Sequence, residues 1–173
     1  MSDFDAAVRT VPDFPEPGIQ FKDLTPVLAD AALFARGVEA LAEPWKDAGV
    51  THVLAIESRG YWFGGALAVR LGAGLVPARK PGKLPLAGPR ETYALEYGED
   101  AIELPKGVLP PGARVLVHDD VIATGGTAGA ACRLVSREGA AVVGASFVLE
   151  LAFLGGRVAL PEGTRVHALM TEG

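Results

Sequence analysis

In VLVHDDVIATGGTAGA (115–130), an apolar run ends in Asp119 and Asp120, and Ala123, Thr124, Gly125, Gly126 and Thr127 follow before a stretch of small, helix-compatible residues. A small-residue loop that enters a helix presents unpaired backbone N–H groups and the positive end of a helix dipole. Both suit a phosphate dianion. Gly125 and Gly126 allow close backbone approach and positive φ angles. Thr124 and Thr127 add hydroxyl donors, and Thr127 is also a candidate helix cap. Two adjacent carboxylates repel a phosphate, so Asp119 and Asp120 must face something else: sugar hydroxyls, or a metal ion held by a ligand's own oxygens. A phosphate cradle beside a hydroxyl-accepting acid pair fits a ribose 5-phosphate group. A nucleotide-binding P-loop would need a glycine-rich loop ending in Gly-Lys-Ser/Thr. The sole Gly-Lys here, Gly82-Lys83, runs into Leu84. A dinucleotide fingerprint is absent as well, and a bare turn explains the glycines but not the acids.

The elements that must position these residues are legible as alternating apolar runs and helical periods. THVLAIES (51–58), GLVPARK (74–80), RVLVHDD (114–120), AVVGASFVLEL (141–151) and RVHALM (165–170) read as strands. The stretch from Asp30, a candidate cap, to Gly49 reads as a helix, as do GYWFGGALAVRLGAG, ending at Gly72 or Gly74, and TAGAACRLVSREGA. Strands alternating with helices predict an α/β fold: a parallel sheet flanked by helices, with ligands at the carboxyl ends of its strands. That rim gathers Glu57, Ser58, Arg59 and Gly60, then Arg79 and Lys80, then 119–127. The proline-rich segment 11–28 is expected to be an irregular N-terminal hood, within residues 1–30. The segment 80–106 is long and polar. Its ETYALEYG is able to pair with AIEL as a hairpin, and it is expected to be a flexible loop that closes over the site.

The 173 residues suit one domain, 1–173, with a sizeable core. No apolar run is long enough for a membrane span, and the acidic, proline-rich start does not resemble a secretion signal. The single cysteine, Cys132, excludes an internal disulfide and suits a cytoplasmic location. A net charge of −5 with no basic face argues against nucleic acid as a partner. His52, His118 and His167 have no metal-ligand spacing and are read as structural.

Residues 115–127 resemble the phosphoribosyl pyrophosphate (PRPP) motif of type I phosphoribosyltransferases, and the A-T-G-G-T form is typical of the adenine phosphoribosyltransferases. VPDFPEPGIQFKDLTPVL (11–28), ESRGYWFG (57–64), RKPGKLP (79–85) and LEYG (95–98) resemble that branch in register over most of the chain. The resemblance implies a Mg²⁺-dependent salvage reaction in which adenine and PRPP give AMP and pyrophosphate. It implies that Ala123, Thr124, Gly125, Gly126 and Thr127 bind the 5-phosphate, and that Asp119 and Asp120 bind the ribose hydroxyls and are candidate Mg²⁺ contacts. Ser58, Arg59 and Gly60 match the pyrophosphate loop, and Arg79, Lys80 and Lys83 the basic residues near the diphosphate. Phe21 matches the ring that stacks on adenine, with the backbone around Gln20 and Lys22 reading the purine edge. Glu96 matches the loop glutamate that handles the purine proton, Tyr97 follows it, and Arg59 and Lys80 complete the catalytic set. A homodimer is implied too, with 79–83 near the interface. His118, Gly65 and Gln20 depart from the family pattern. Two alternatives stay open: a PRPP- or nucleotide-sensing regulatory module on the same fold, and a 6-oxopurine enzyme.

Overall fold

The computed structural model describes residues 3–94 and 98–173. In chain order the helices and strands are α1 (Asp3–Ala7), β1 (Arg9–Pro12), β2 (Gln20–Asp23), α2 (Thr25–Ala29), α3 (Ala31–Ala42), β3 (His52–Ile56), α4 (Gly60–Leu71), β4 (Gly74–Ala78), β5 (Ala87–Ala94), β6 (Glu99–Pro105), β7 (Arg114–Ile122), α5 (Gly126–Arg137), β8 (Ala141–Leu151) and β9 (Val166–Glu172). Three single-turn 3₁₀ segments lie between them, two of these, Ala152–Leu154 and Gly156–Ala159, in the link from β8 to β9.

The five apolar runs form one parallel sheet in the order β4-β3-β7-β8-β9. Its strands are covered on both sides, which is why they read as near-continuous apolar runs rather than as alternation. On one face, Leu116, Val53 and Val148 pack with Leu41, Trp45, Phe63 and Leu67 of the α3–α4 side. On the other, Val115, Val117 and Phe147 pack with Ala131, Leu134 and Val135 of α5. Each fully buried aliphatic or aromatic side chain contributes about 1.5–3 kcal/mol. Local signals set the helix ends. Asp30 accepts hydrogen bonds from the Ala32 and Leu33 N–H groups, both at 2.9 Å, and so starts α3. Gly72, at φ 65°, ends α4.

Two segments differ from the sequence expectation. The hood is not irregular: β1 and β2 pair antiparallel, with Val11 opposite Phe21, and α2 begins with Pro26 in its first turn, where the missing N–H costs nothing. Prolines in the link between the strands excluded a helix but not an edge hairpin. The long excursion is itself largely regular. β5 and β6 form an antiparallel hairpin in which Tyr93 faces Asp100, and a bridge between Arg79 and Glu103 ties it to the end of β4. Glu96 and Tyr97 lie outside the described residues.

One polar row crosses the α3–α4 face. His118, Ser146 and His167 are register partners on β7, β8 and β9. Burial lowers the His118 pKa to about 4, against a weaker opposing contact to the Ser146 backbone, so the ring is neutral.

Candidate functional site

The carboxyl ends of β3, β4 and β7 converge on one rim. Strand β7 continues through the acid pair to Ile122, and residues 123–125 then turn into α5. Asp119, Ala123, Thr124, Gly125, Gly126 and Thr127 line a cleft of about 90 Å³ at the N-terminus of α5. Gly125, at φ 77°, is the N-cap residue of this twelve-residue helix, and no side chain caps it. Thr127 therefore sits within the first turn and is not the cap expected from sequence. The first-turn N–H groups face a cleft lined by two threonines, an arrangement that suits an anion.

The loop is braced from behind by a turn that the sequence did not single out. A Cβ on Gly125 would lie 2.0 Å from the Gly156 carbonyl oxygen, and one on Gly156 would lie 2.2 Å from that of Ala123. A Cβ on Gly129 would lie 2.3 Å from the Ala159 carbonyl oxygen. Arg157 in this turn donates two hydrogen bonds to Glu150, both 2.6 Å, in the fork geometry that fixes a guanidinium against a carboxylate. The Gly155-Gly156 pair was the available sequence signal.

Asp120 is buried and Asp119 partly so. The Asp120 N–H donates to Asp119 Oδ1 at 2.9 Å. Burial raises the Asp119 pKa well above the ordinary carboxylate range. The neighbouring Asp120 charge adds to this, and Arg59 opposes it. Burial also raises Asp120, against the pull of Arg59. The two carboxyls are thus set against each other, with Arg59 as counter-charge, beside the anion cleft.

The β3–α4 turn packs directly on this pair. The Glu57–Ser58 peptide is cis. A Cβ on Gly60 would lie 2.9 Å from Asp119 Oδ1 and 3.1 Å from the His118 carbonyl oxygen, so a side chain there would crowd the acid pair. Ser58 is exposed beside it. Arg59 spans two surfaces: its Nε lies 2.9 Å from Asp120 Oδ2, and its guanidinium lies 5.1 Å from the Phe21 ring centroid. That Asp120 oxygen makes no hydrogen bond of good geometry, so the contact is an ion pair alone. Phe21, Arg59 and Asp120 line a cleft of about 230 Å³ with Phe14 and Trp62, and Phe14 meets Phe21 edge-on at 5.1 Å. The structure thus brings a flat aromatic platform, the acid pair and the anion cleft onto one rim. Gln20 is exposed, and the Lys22 side chain is engaged elsewhere, donating to Thr10 at 3.1 Å and pairing with Glu172 at 3.0 Å.

The basic residues after β4 are held by Glu57, which the sequence placed on the rim without a role. Arg79 donates to both Glu57 oxygens at 3.3 and 3.1 Å and to the Lys83 carbonyl at 2.8 Å, and the Lys80 N–H donates to Glu57 at 2.9 Å. The hydrogen bonds from Arg79 hold the Glu57 carboxyl below its usual pKa, outweighing burial. Arg79 thus acts here as a brace for the 79–83 turn, Lys83 is exposed, and the Lys80 ammonium points to the β5–β6 hairpin. Among the described residues no cluster of three or more His, Cys, Asp or Glu side chains forms a metal cage. Two adjacent hard-oxygen donors on the rim suit a Mg²⁺ ion that takes its other ligands from substrate phosphates and water.

Residues 28–151 match the phosphoribosyl transferase domain family. The chain is 54% identical over 166 residues to the adenine phosphoribosyltransferase of Anaeromyxobacter sp. (strain Fw109-5), covering 96% of this chain and 93% of that protein. Its structure is similar to the crystal structure of adenine phosphoribosyltransferase from Rhodothermus marinus, with a TM-score of 0.94, 54% identity, and coverage of 98% of this chain and 97% of the other. It is also similar to the Saccharomyces cerevisiae adenine phosphoribosyltransferase complexed with adenine and an imino-altritol bisphosphate, with a TM-score of 0.91, 40% identity, and 96% of each chain covered.

Proposed function

The chain belongs to the phosphoribosyl transferase family, among the adenine phosphoribosyltransferases, and on that premise we propose how its residues join adenine to PRPP to give AMP and pyrophosphate. The observation that carries the assignment is the single rim on which the anion cleft, the acid pair and the Phe21–Arg59 platform meet. The loop 123–127 binds the 5-phosphate through backbone N–H groups and the hydroxyls of Thr124 and Thr127. Asp119 and Asp120 accept hydrogen bonds from the ribose hydroxyls. Adenine stacks on Phe21, with the backbone of Gln20 and Lys22 at its edge, and Arg59 gives up its contact with Asp120 as substrates enter.

Breaking the bond from the ribose carbon to diphosphate builds positive charge on the sugar and negative charge on the leaving group. The acid pair suits the first and cations suit the second. Lys80, Arg59 and Lys83, with the N–H groups of the Ser58–Gly60 turn, face the diphosphate, and Arg79 orders the turn that carries Lys80 and Lys83. Asp119 or Asp120 would hold Mg²⁺, which would supply neutralisation of the charge that builds on the diphosphate. Glu96 is assigned the proton on the purine ring, and Tyr97 follows it in the chain. The loop region 80–106 excludes water that would otherwise hydrolyse PRPP.

The protein acts as a homodimer that joins at the β4–α4 edge. Val69 (83% exposed), Leu75 and Leu86 present apolar surface there, next to a cleft of about 500 Å³ lined by Tyr61, Pro77, Leu84 and Val108. A cytoplasmic setting fits the lone, buried thiol, and no described helix is long and apolar enough to cross a membrane.

The test is to supply Mg²⁺ and PRPP with adenine, hypoxanthine, guanine or xanthine, and to follow nucleoside monophosphate and pyrophosphate. AMP and pyrophosphate in equal amounts from adenine alone is the expected result. Product from an oxopurine would overturn the base assignment. PRPP binding without product from any base would make the protein a sensor on this fold.

A further inference from the structure

We propose that Tyr93 and Asp100 are positioning residues that hold the Lys80 ammonium in place for diphosphate and tie it mechanically to the 5-phosphate loop. The inference rests on the reading of Lys80 as a diphosphate contact. Tyr93 and Asp100 are register partners on β5 and β6, so their side chains lie on one face of the hairpin. The Lys80 ammonium donates to the Tyr93 hydroxyl at 2.7 Å and to Asp100 Oδ2, and the Tyr93 hydroxyl donates to the same Asp100 oxygen at 3.1 Å. Asp100 Oδ1 accepts from the Ala101 N–H at 2.7 Å, which fixes the carboxylate's orientation. At its other end, the Lys80 backbone is fastened to Glu57. A long, flexible side chain is thus held at both ends.

The Tyr93 ring completes the link. It is buried in the α5-side core, and its Cδ2 would lie 3.2 Å from a Cβ placed on Gly126, in the first turn of the phosphate loop's helix. One aromatic ring therefore touches the 5-phosphate loop with its edge and the diphosphate cation with its hydroxyl. The Lys80 and Asp100 side chains are 36% and 29% exposed, and an ion pair so accessible adds little to stability. What the triad supplies is placement: a cation already oriented loses less freedom when the diphosphate arrives.

The experiment compares Tyr93→Phe, Asp100→Asn, Asp100→Glu and Lys80→Met, together with the double variant Lys80→Met/Asp100→Asn. It measures kcat, KM for PRPP and for adenine, binding of Mg²⁺-pyrophosphate, and the thermal midpoint. Tyr93→Phe keeps the ring in the core and Asp100 is partly exposed, so both variants fold. The expected result is a rise of about tenfold or more in KM for PRPP, and matching weaker pyrophosphate binding, with KM for adenine and the thermal midpoint unchanged. Asp100→Glu recovers part of the loss, and Asp100→Asn has no further effect once Lys80 is Met. If Lys80→Met is impaired while Tyr93→Phe and Asp100→Asn behave as the parent, the positioning role is wrong and the reading of Lys80 stands. If Lys80→Met itself uses PRPP normally, the reading of Lys80 fails and the proposal with it. Equal losses for both substrates with a lower thermal midpoint would reduce the triad to a structural contact and overturn the proposal.

Discussion

A methyl group on Gly125 would collide with the Gly156 carbonyl oxygen at 2.0 Å, on a residue whose φ of 77° already disfavours any side chain. Gly125→Ala is therefore expected to lose about 1–3 kcal/mol of stability from the strained backbone alone, and more from the clash. PRPP binding should fall further than adenine binding, because only the 5-phosphate loop is displaced. Thermal unfolding and titration calorimetry with each substrate check both parts. Unchanged PRPP affinity would remove the loop from the site. At this scale the strand–loop–helix geometry of 119–127 was legible because it follows from local sequence. The partners of Arg79 and Lys80 were not. Glu57 lies 22 residues from Arg79 and Asp100 lies 20 from Lys80, and only the closing of the sheet and hairpin brings them together.

Within the hood, Asp23 joins two elements. It pairs with Arg9 across the β1–β2 hairpin and accepts from the Thr25 N–H at 2.9 Å, where α2 begins. The Thr25 side chain and N–H, then Arg9, lower its pKa to about 2. A carboxylate whose folded pKa lies below its unfolded value stabilises the fold above the unfolded pKa, near 3.8, and that contribution is lost as pH falls through about 2. Asp23→Asn is thus expected to lower the thermal midpoint by a constant amount above pH 4, and the gap to the parent should close between pH 4 and 2. A gap independent of pH down to 2 would show that the carboxylate's charge does no work there. Most elements were legible because their hydrophobic period is strong: the strand 141–151 and the helix ends at Asp30 and Gly72 fell where expected. The hood hairpin was not, since four-residue edge strands flanked by prolines carry too short a pattern to announce a period.

Across the whole molecule, a parallel sheet with both faces covered leaves its carboxyl rim as the place where several strands deliver side chains to one site. The sequence already implied that Ser58, Asp119 and the phosphate loop would share that rim. The position of Phe21 could not be derived from periodicity, because the hood meets the rim through contacts such as Arg59 over Phe21 rather than through the sheet. If the proposed assignments hold, phosphate, sugar and base occupy three adjacent stations there. The most direct measurement is the crystal structure of the AMP complex. The expected complex has the phosphate among the backbone N–H groups of 123–127, the ribose hydroxyls on Asp119 and Asp120, the purine against Phe21, and Arg59 parted from Asp120. AMP bound away from this rim, or with its phosphate on the 79–83 turn and the 123–127 loop unoccupied, would contradict it.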